Sequence, residues 1–129
     1  YTQVMPGAFI GIDNLQDFVA YCARVSNPTN QMNNETAEKL IELGFLISFS
    51  GNLTFKNSKL PEVASKISLS NLLVETDSPY LSPTPFRGKP NEPARVRYVA
   101  EKLADINNCT LEEVAKRTSE NAIKLFNIV

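Results

Sequence analysis

One stretch near the middle of the chain, residues 72–81, constrains the fold more than any other. It reads Leu-Leu-Val-Glu-Thr-Asp-Ser-Pro-Tyr-Leu. An apolar run that stops at a turn signal is typical of a strand buried on both faces, as in parallel sheets. Ser78 precedes a proline and so disfavours helical conformation, which predicts that the strand ends near Asp77. Asp77 would then lie at the carboxyl end of a buried strand, where α/β proteins collect ligand-binding groups.

Length and composition restrict the class of protein. A chain of 129 residues predicts one domain, and a net charge of -1 gives no electrostatic basis for a free-standing nucleic-acid binder. No apolar stretch reaches the length of a membrane span and no signal peptide is visible, so we predict a cytoplasmic protein.

Cys22 and Cys109 are far apart, which predicts reduced thiols or a single disulfide. Histidine is absent, so the commonest metal ligand is absent too. The start at Tyr1 leads us to expect a piece of a longer protein or a processed one.

Apolar periodicity and turn residues predict alternating helices and strands, and hence an α/β fold. The order helix, strand, helix, strand predicts that the strands at 45–49 and 72–77 are parallel. The predicted strands are 8–12, 45–49 and 72–77; the predicted helices are 14–26, 35–43, 59–67, one from Asn91 as N-cap to about 107, and two short ones that start at Thr110 and at Thr118 or Ser119.

Three carboxylates are candidate metal ligands. Strand alternation would put Glu75 and Asp77 on the same side of the third strand, and carboxylate oxygens suit a divalent cation. Two carboxylates cannot complete such a site, and Asp13 could be a third if its strand joins the same sheet. The structural alternatives are a loop-capping role for Asp77 and a helix N-cap for Asp13.

Four cations follow on or beside a proline-rich segment, residues 82–93. Arg87 and Lys89 could hold a phosphate, with Arg87 as a bidentate clamp, or could be solvated loop charges. Arg95 and Arg97 would lie near the start of a helix, where positive charge is unfavourable; a bound anion or a surface salt bridge would explain them. A long loop without regular structure is usually functional or disordered.

Several stretches together point to a family. They are Leu-Gly-Phe at 43–45, Ile-Ser-Phe-Ser-Gly at 47–51, Thr-Phe-Lys-Asn at 54–57, Leu-Val-Glu-Thr-Asp-Ser-Pro-Tyr-Leu at 73–81, Arg-Gly-Lys at 87–89, Asn-Glu-Pro at 91–93, Tyr-Val-Ala at 98–100 and Thr-Ser-Glu-Asn at 118–121. From about residue 36 to 126 the chain resembles the C-terminal third of the TatD family of metal-dependent deoxyribonucleases.

The resemblance implies a partial (β/α) TIM-type barrel in which 45–49 and 72–77 are the last two strands. It implies that Asp77 is the family's final metal-site carboxylate and that the loop with Arg87 and Asn91 binds substrate. The family reaction would be hydrolysis of a DNA phosphodiester with Mg or Zn. The family's histidine ligands and middle-strand glutamate have no counterpart here, so we expect no bound metal and no activity from this chain alone. The alternatives are a residual carboxylate–metal phosphoesterase and a non-catalytic structural fragment.

The N-terminal part resembles a different family. Phe-Val-Ala-Tyr-Cys-Ala-Arg-Val-Ser-Asn-Pro at 18–28 is similar to the N-terminal segment of flavin-dependent thymidylate synthases, although their Arg-His-Arg motif is absent. We therefore predict a chimera within a single domain, with residues 1–34 as a helical graft and 35–129 as the barrel segment. A partial barrel has open sheet edges, which predicts a homo-oligomer.

Overall fold

The computed structural model describes residues 3–6 and 33–128. The strands are β1 (Gln3–Pro6), β2 (Phe45–Phe49) and β3 (Leu72–Val74), and the α-helices are α1 (Asn34–Glu42), α2 (Leu60–Ser65), α3 (Val96–Asn107) and α4 (Leu111–Phe126). Short 3-10 helices occupy Gly51–Thr54, Leu69–Asn71 and Pro93–Arg95. The predicted strand at 8–12, the predicted helix at 14–26 and Asp13 lie outside the described residues.

The strands form one sheet in the order β1-β2-β3. β2 and β3 are parallel, with Ser48 opposite Leu73, which confirms the predicted parallel pair. β1 is antiparallel to β2, with Val4 opposite Ile47. The sequence analysis did not predict β1, and the strand that it did predict at 8–12 lies outside the described residues.

Local signals explain most helix boundaries. Asn33 caps α1 by accepting a hydrogen bond from the Thr36 amide at 2.8 Å, and Gly44 follows the helix with a φ of +85°. Thr110 and Glu113 form the predicted capping box at the start of α4. The predicted break at Thr118 is wrong, because one helix runs through Leu111–Phe126 and the Thr118 hydroxyl donates to the Val114 carbonyl within it.

The core lies between the sheet and the helices. Ile47, Phe49 and Leu72 are fully buried and pack against Leu40 of α1 and Leu103 of α3. The amide of Asn121 on α4 donates to the carbonyls of Leu69 and Leu72, at 2.8 Å each, and so joins α4 to the start of β3. In the described part of the chain, no helix is long and apolar enough to cross a membrane.

Candidate functional site

The strand that was predicted to carry Asp77 ends earlier than expected. β3 stops at Val74, although the amide of Glu75 still donates to the Phe49 carbonyl at 2.9 Å. Asp77 follows with a φ of +57°, and the amide of Tyr80 donates to the Asp77 carbonyl at 2.8 Å to close a turn. The prediction that the strand extends to Asp77 is wrong. Glu75 and Asp77 lie beyond β3, so strand alternation does not determine on which side their side chains lie.

Backbone strain marks both ends of this turn. Asp77 has a φ of +57° and Leu81 a φ of +54°. L-residues rarely adopt these left-handed values, which cost on the order of 1–3 kcal/mol each and persist only where the surroundings enforce them. Such outliers concentrate at ligand and catalytic sites, so the segment from Asp77 to Leu81 is the first place to look for function.

Glu75 is a half-buried carboxyl group beside the end of β2. It accepts a hydrogen bond from the Ser48 hydroxyl. Burial raises the pKa of Glu75 above its ordinary value, the Ser48 hydrogen bond opposes this rise, and the negative charge of Asp77 adds to it. Among the described residues, Oε1 of Glu75 has no hydrogen-bond partner. Ser48 was not singled out from the sequence, where it is a small polar residue inside an apolar strand.

The turn forms one wall of an open cleft of about 580 Å³. The cleft brings Asp77 together with Arg87 and Lys89. The complete lining is Asp77, Pro79, Tyr80, Leu81, Ser82, Arg87, Gly88 and Lys89. Two cations and one carboxylate thus share a concave surface at the carboxyl end of a parallel strand pair, which is the usual position of ligand sites in α/β folds.

Arg87 is held by an aromatic ring that the sequence analysis did not single out. The Cζ atom of Arg87 lies 3.6 Å from the centroid of the Phe55 ring. The following residue, Gly88, has a φ of +83°, and the amide of Lys89 donates to the Phe86 carbonyl at 3.1 Å. Arg87 and Phe55 are distant in sequence, so no local pattern could have revealed the stack.

The other two arginines are engaged elsewhere. Arg97 pairs with Glu101 at 2.7 Å on the surface of α3, which agrees with the salt-bridge interpretation. Arg95 lies over the ring of Phe86 at 4.2 Å and donates to the Pro90 carbonyl at 2.6 Å. Arg95 therefore contributes to the packing of the proline-rich loop.

Asn91 lies beneath the turn and not along the cleft. Its side-chain nitrogen donates to the carbonyls of Thr76 and Tyr80, at 2.8 Å each, and its Oδ1 accepts from the Glu92 amide at 3.0 Å. The prediction that Asn91 caps the long helix is wrong, because a 3-10 helix starts at Pro93 with Glu92 as its N-cap. The buried side chain of Asn91 instead fixes the backbone around Asp77.

The loop after β2 and the loop after β3 are also joined directly. The Thr84 amide donates to the Thr54 hydroxyl at 2.9 Å. A side chain on Gly51 would put its Cβ 1.8 Å from the Leu81 carbonyl oxygen, so only glycine permits this contact. The close approach at Gly51 is therefore made by the chain's own backbone. The proline-rich segment is tied down along its length, which excludes disorder as the reason for its lack of regular structure.

Two carboxylates, those of Asp77 and Glu75, are the candidate metal donors at this edge of the sheet. Asp77 faces the cleft, and Glu75 is close enough for its pKa to be raised by the Asp77 charge. Over residues 33–128, however, no three His, Cys, Asp or Glu side chains are grouped so that they could hold a metal ion. A divalent cation usually needs more protein oxygens than this edge supplies. The described residues by themselves do not fit a complete metal site.

Comparison with known proteins identifies the family. The family model described as TatD related DNase matches residues 30–127. The chain is 54% identical over 95 residues to the uncharacterized metal-dependent hydrolase YcfH of Escherichia coli K12, covering 73% of this chain and 36% of that protein. It is 50% identical over 95 residues to the uncharacterized metal-dependent hydrolase YabD of Bacillus subtilis 168, covering 73% of this chain and 37% of that protein.

The structural comparison agrees with the sequence comparison. The crystal structure of YJJV, a TatD homologue from Escherichia coli K12, superposes with a TM-score of 0.73 and 27% identity, over 90% of this chain and 48% of that one. The likeness supports the prediction of an α/β fragment. The chain spans little more than a third of the length of the curated relatives above, 36% and 37%. From the matched region and these relatives, the chain belongs to the TatD-related DNase family.

Proposed function

We propose that this chain is the part of a TatD-type metal-dependent hydrolase that carries the last metal-site carboxylate and the substrate-binding loop. In this proposal β2 and β3 are two adjacent strands of a (β/α) barrel, and the whole enzyme hydrolyses phosphodiester bonds in DNA. One observation supports it above the others: Asp77, Arg87 and Lys89 line the same cleft at the carboxyl end of the parallel pair. Relatives named as metal-dependent hydrolases support the reaction class.

Each proposed site residue has a distinct task. Asp77 would supply one carboxylate to a divalent-metal site, with Mg or Zn as the expected metals. Arg87 would bind a phosphate of the substrate. Asn91 would act on the substrate indirectly, by holding the backbone carbonyls of Thr76 and Tyr80 and so fixing the position of Asp77.

We also propose that the chain does not catalyse hydrolysis alone. It contains no histidine, and the described residues do not complete a metal site. The test is DNA hydrolysis with Mg or Mn, comparing the wild type with Asp77→Ala. Equal rates at the buffer background are expected. A rate that falls in Asp77→Ala would instead support the alternative, a residual phosphoesterase that uses Asp77.

A chimeric enzyme tests whether Asp77 supplies a metal ligand when the rest of the barrel is present. Residues 36–126 would replace the matching segment of the Escherichia coli relative YcfH, and metal content and DNA hydrolysis would be compared with those of the intact relative. We expect the graft to retain both, and Asp77→Ala to lower both. Asp105→Ala, a surface acid on α3, is the matched control and should change neither. A graft whose metal content is unaffected by Asp77→Ala would contradict the ligand assignment.

The finer predictions about the N-terminal segment and the assembly remain proposals. The family match covers residues 30–127, so it includes nearly all of the proposed barrel segment, residues 35–129. The thymidylate synthase resemblance at 18–28, the cytoplasmic location, the homo-oligomer and DNA as the partner rest on the sequence. Deleting residues 1–32 and following unfolding by circular dichroism tests whether that segment stabilises the remainder. Loss of cooperative unfolding would support a structural graft, and unchanged unfolding would exclude it.

A further inference from the structure

We infer that Arg87, held over the ring of Phe55, and Lys89 form a phosphate subsite that binds its ligand without a metal. The inference rests on the proposed function, since it names the group that the cleft holds. It goes further by assigning Phe55 a positioning role and by separating phosphate binding from metal binding. The ligand class is the phosphate group of an ester, with Tyr80 at the rim to meet its organic part.

The two cations are available for an anion. Arg95, Arg97 and Arg117 each lie within 4.0 Å of a carboxylate. Over residues 33–128, no such carboxylate is recorded for Arg87 or Lys89. Both line the cleft, where the charges of Arg87, Lys89 and Asp77 sum to one positive charge. A monoanionic phosphodiester would neutralise that charge.

Phe55 prepares Arg87 for binding. A guanidinium normally loses much rotamer freedom when it binds a ligand. At 3.6 Å from the ring centroid, Arg87 is already restrained on one face. Stacking uses the face of the guanidinium plane, whereas oxyanions bind to the N–H groups at its edge. The stack therefore fixes Arg87 without occupying the donors that a phosphate needs.

Hydrogen bonds fix the backbone of Lys89 in the same loop that carries Arg87. The Ser82 hydroxyl donates to the Lys89 carbonyl, and the Lys89 amide donates to the Phe86 carbonyl at 3.1 Å. Gly88 supplies the φ of +83° that the turn requires, and a Cβ on Gly88 would meet nothing within 4 Å. Glycine is needed here for its conformation and not for space.

Tyr80 gives the subsite its selectivity for an ester. It lines the cleft and is 69% exposed, although large aromatic side chains are usually mostly buried. An exposed ring beside a phosphate-binding arginine offers a surface for the planar or apolar group attached to the phosphate. Inorganic phosphate would use the two cations alone, so it is a probe for them and not for Tyr80.

The experiment is an NMR titration of the full chain, labelled with ¹⁵N, with inorganic phosphate in EDTA at constant ionic strength. The amide signals of Gly88 and Lys89 should shift and saturate with a Kd in the millimolar range. Acetate at the same ionic strength should bind several-fold more weakly, because its two oxygens cannot engage Arg87 and Lys89 together as the oxygens of phosphate can. Arg87→Ala should weaken phosphate binding at least tenfold, and Arg87→Lys, which keeps the charge, should still weaken it several-fold.

Phe55→Leu tests the positioning role. Loss of the stack should weaken phosphate binding about two- to fivefold. Phe55→Tyr, which keeps an aromatic ring, should bind phosphate as the wild type does. Arg97→Ala removes the same charge from a residue that pairs with Glu101 and does not line the cleft, and it should leave the Kd unchanged. Equal binding of acetate, or an equal loss in Arg97→Ala and Arg87→Ala, would overturn the subsite. An unchanged Kd in folded Phe55→Leu would overturn the role of Phe55.

The outcomes separate this inference from the proposed function. Phosphate binding in EDTA requires no metal, and the graft assay requires the metal site. If the graft hydrolyses DNA while the chain binds no phosphate, the subsite is wrong and the proposed function stands. If the chain binds phosphate while the graft has no activity, the subsite stands and the proposed function is wrong.

Discussion

Replacing Asn91 with alanine should destabilise the chain more than a single polar side chain usually does. Asn91 is 7% exposed, and its side chain makes three hydrogen bonds of 2.8 to 3.0 Å. Two go to the carbonyls of Thr76 and Tyr80, on either side of the Asp77 turn. The third comes from the amide of Glu92. Alanine removes all three and leaves two acceptors and one donor without a protein partner.

The magnitude follows from those contacts. A hydrogen bond contributes about 0.5–1.5 kcal/mol net, so three give a loss of about 3 kcal/mol in the free energy of unfolding. With a urea slope of about 2 kcal/mol per molar, the unfolding midpoint should fall by roughly 1.5 M. Asn91→Asp should cost more than Asn91→Ala near neutral pH, because an ionised carboxylate would face the carbonyl oxygens of Thr76 and Tyr80.

The assay is urea unfolding followed by circular dichroism, with the slope checked for constancy. Asn107→Ala is the matched control, because Asn107 donates a single local hydrogen bond to the Leu103 carbonyl at 2.8 Å. It should lose about 1 kcal/mol. Amide exchange of Tyr80, which donates to the Asp77 carbonyl, should accelerate in Asn91→Ala and not in Asn107→Ala. The Asn91→Asp penalty should shrink on acidification, because the neutral acid is no longer repelled by the carbonyls.

The reasoning would be refuted by equal losses in Asn91→Ala and Asn107→Ala. A loss below about 1 kcal/mol would also contradict it, because water would then be replacing all three partners. If Asn91→Ala lost stability while Tyr80 exchange stayed unchanged, Asn91 would act on the core and not on the turn. In that case the positioning role proposed for Asn91 would be wrong.

Three other expectations can be checked on the same protein. Gly51→Ala should lower the free energy of unfolding by about 3 kcal/mol, because the new Cβ would lie 1.8 Å from the Leu81 carbonyl oxygen. Gly88→Ala meets open space but has a φ of +83°, so it should cost about 1 kcal/mol. Similar losses in urea unfolding would refute the close contact at Gly51. Burial raises the pKa of Glu75 in the folded state above 4.5, its ordinary value. Between these two pKa values the native state binds the proton more tightly than the unfolded state does. The free energy of unfolding therefore falls as the pH rises through this range. Glu75→Gln should therefore be more stable than the wild type near neutral pH and equal to it near pH 4, and a gap that persisted at pH 4 would contradict this. Sedimentation should show a dimer or larger assembly that Phe126→Ser, at an exposed apolar position, weakens; a monomeric wild type would dispose of the predicted oligomer.

The elements that the sequence predicted well are those with local causes. The capping box of Thr110 and Glu113 spans one helical turn, and the apolar strand Phe45–Phe49 lies between Gly44 and the Ser-Gly pair at 50–51. In each case the signal and the structure involve residues within a few positions. The Thr118 prediction failed because its hydroxyl, which favours helix starts, donates to a carbonyl inside the helix instead.

The candidate site has non-local causes, and this is why the sequence argument placed its residues wrongly. Asp77 was assigned to a strand end, yet its left-handed backbone is held by a side chain 14 positions later, that of Asn91. The Asn-Glu-Pro sequence is typical of a helix start, so the cap was the local prediction. The hydrogen bonds to Thr76 and Tyr80 outweighed it. Phe55 and Arg87 meet only because the two loops are folded together.

The cleft is therefore a local assembly with its own supports. Gly51 against Leu81, Thr54 against Thr84, and Phe55 against Arg87 join the loop after β2 to the loop after β3 at three points. All of these contacts lie within the region matched by the family, residues 30–127. The walls that would hold a phosphate consequently depend on contacts inside this segment, whereas the described residues contain no group of three His, Cys, Asp or Glu side chains that could hold a metal ion. Phosphate recognition should therefore be measurable in this chain separately from metal chemistry.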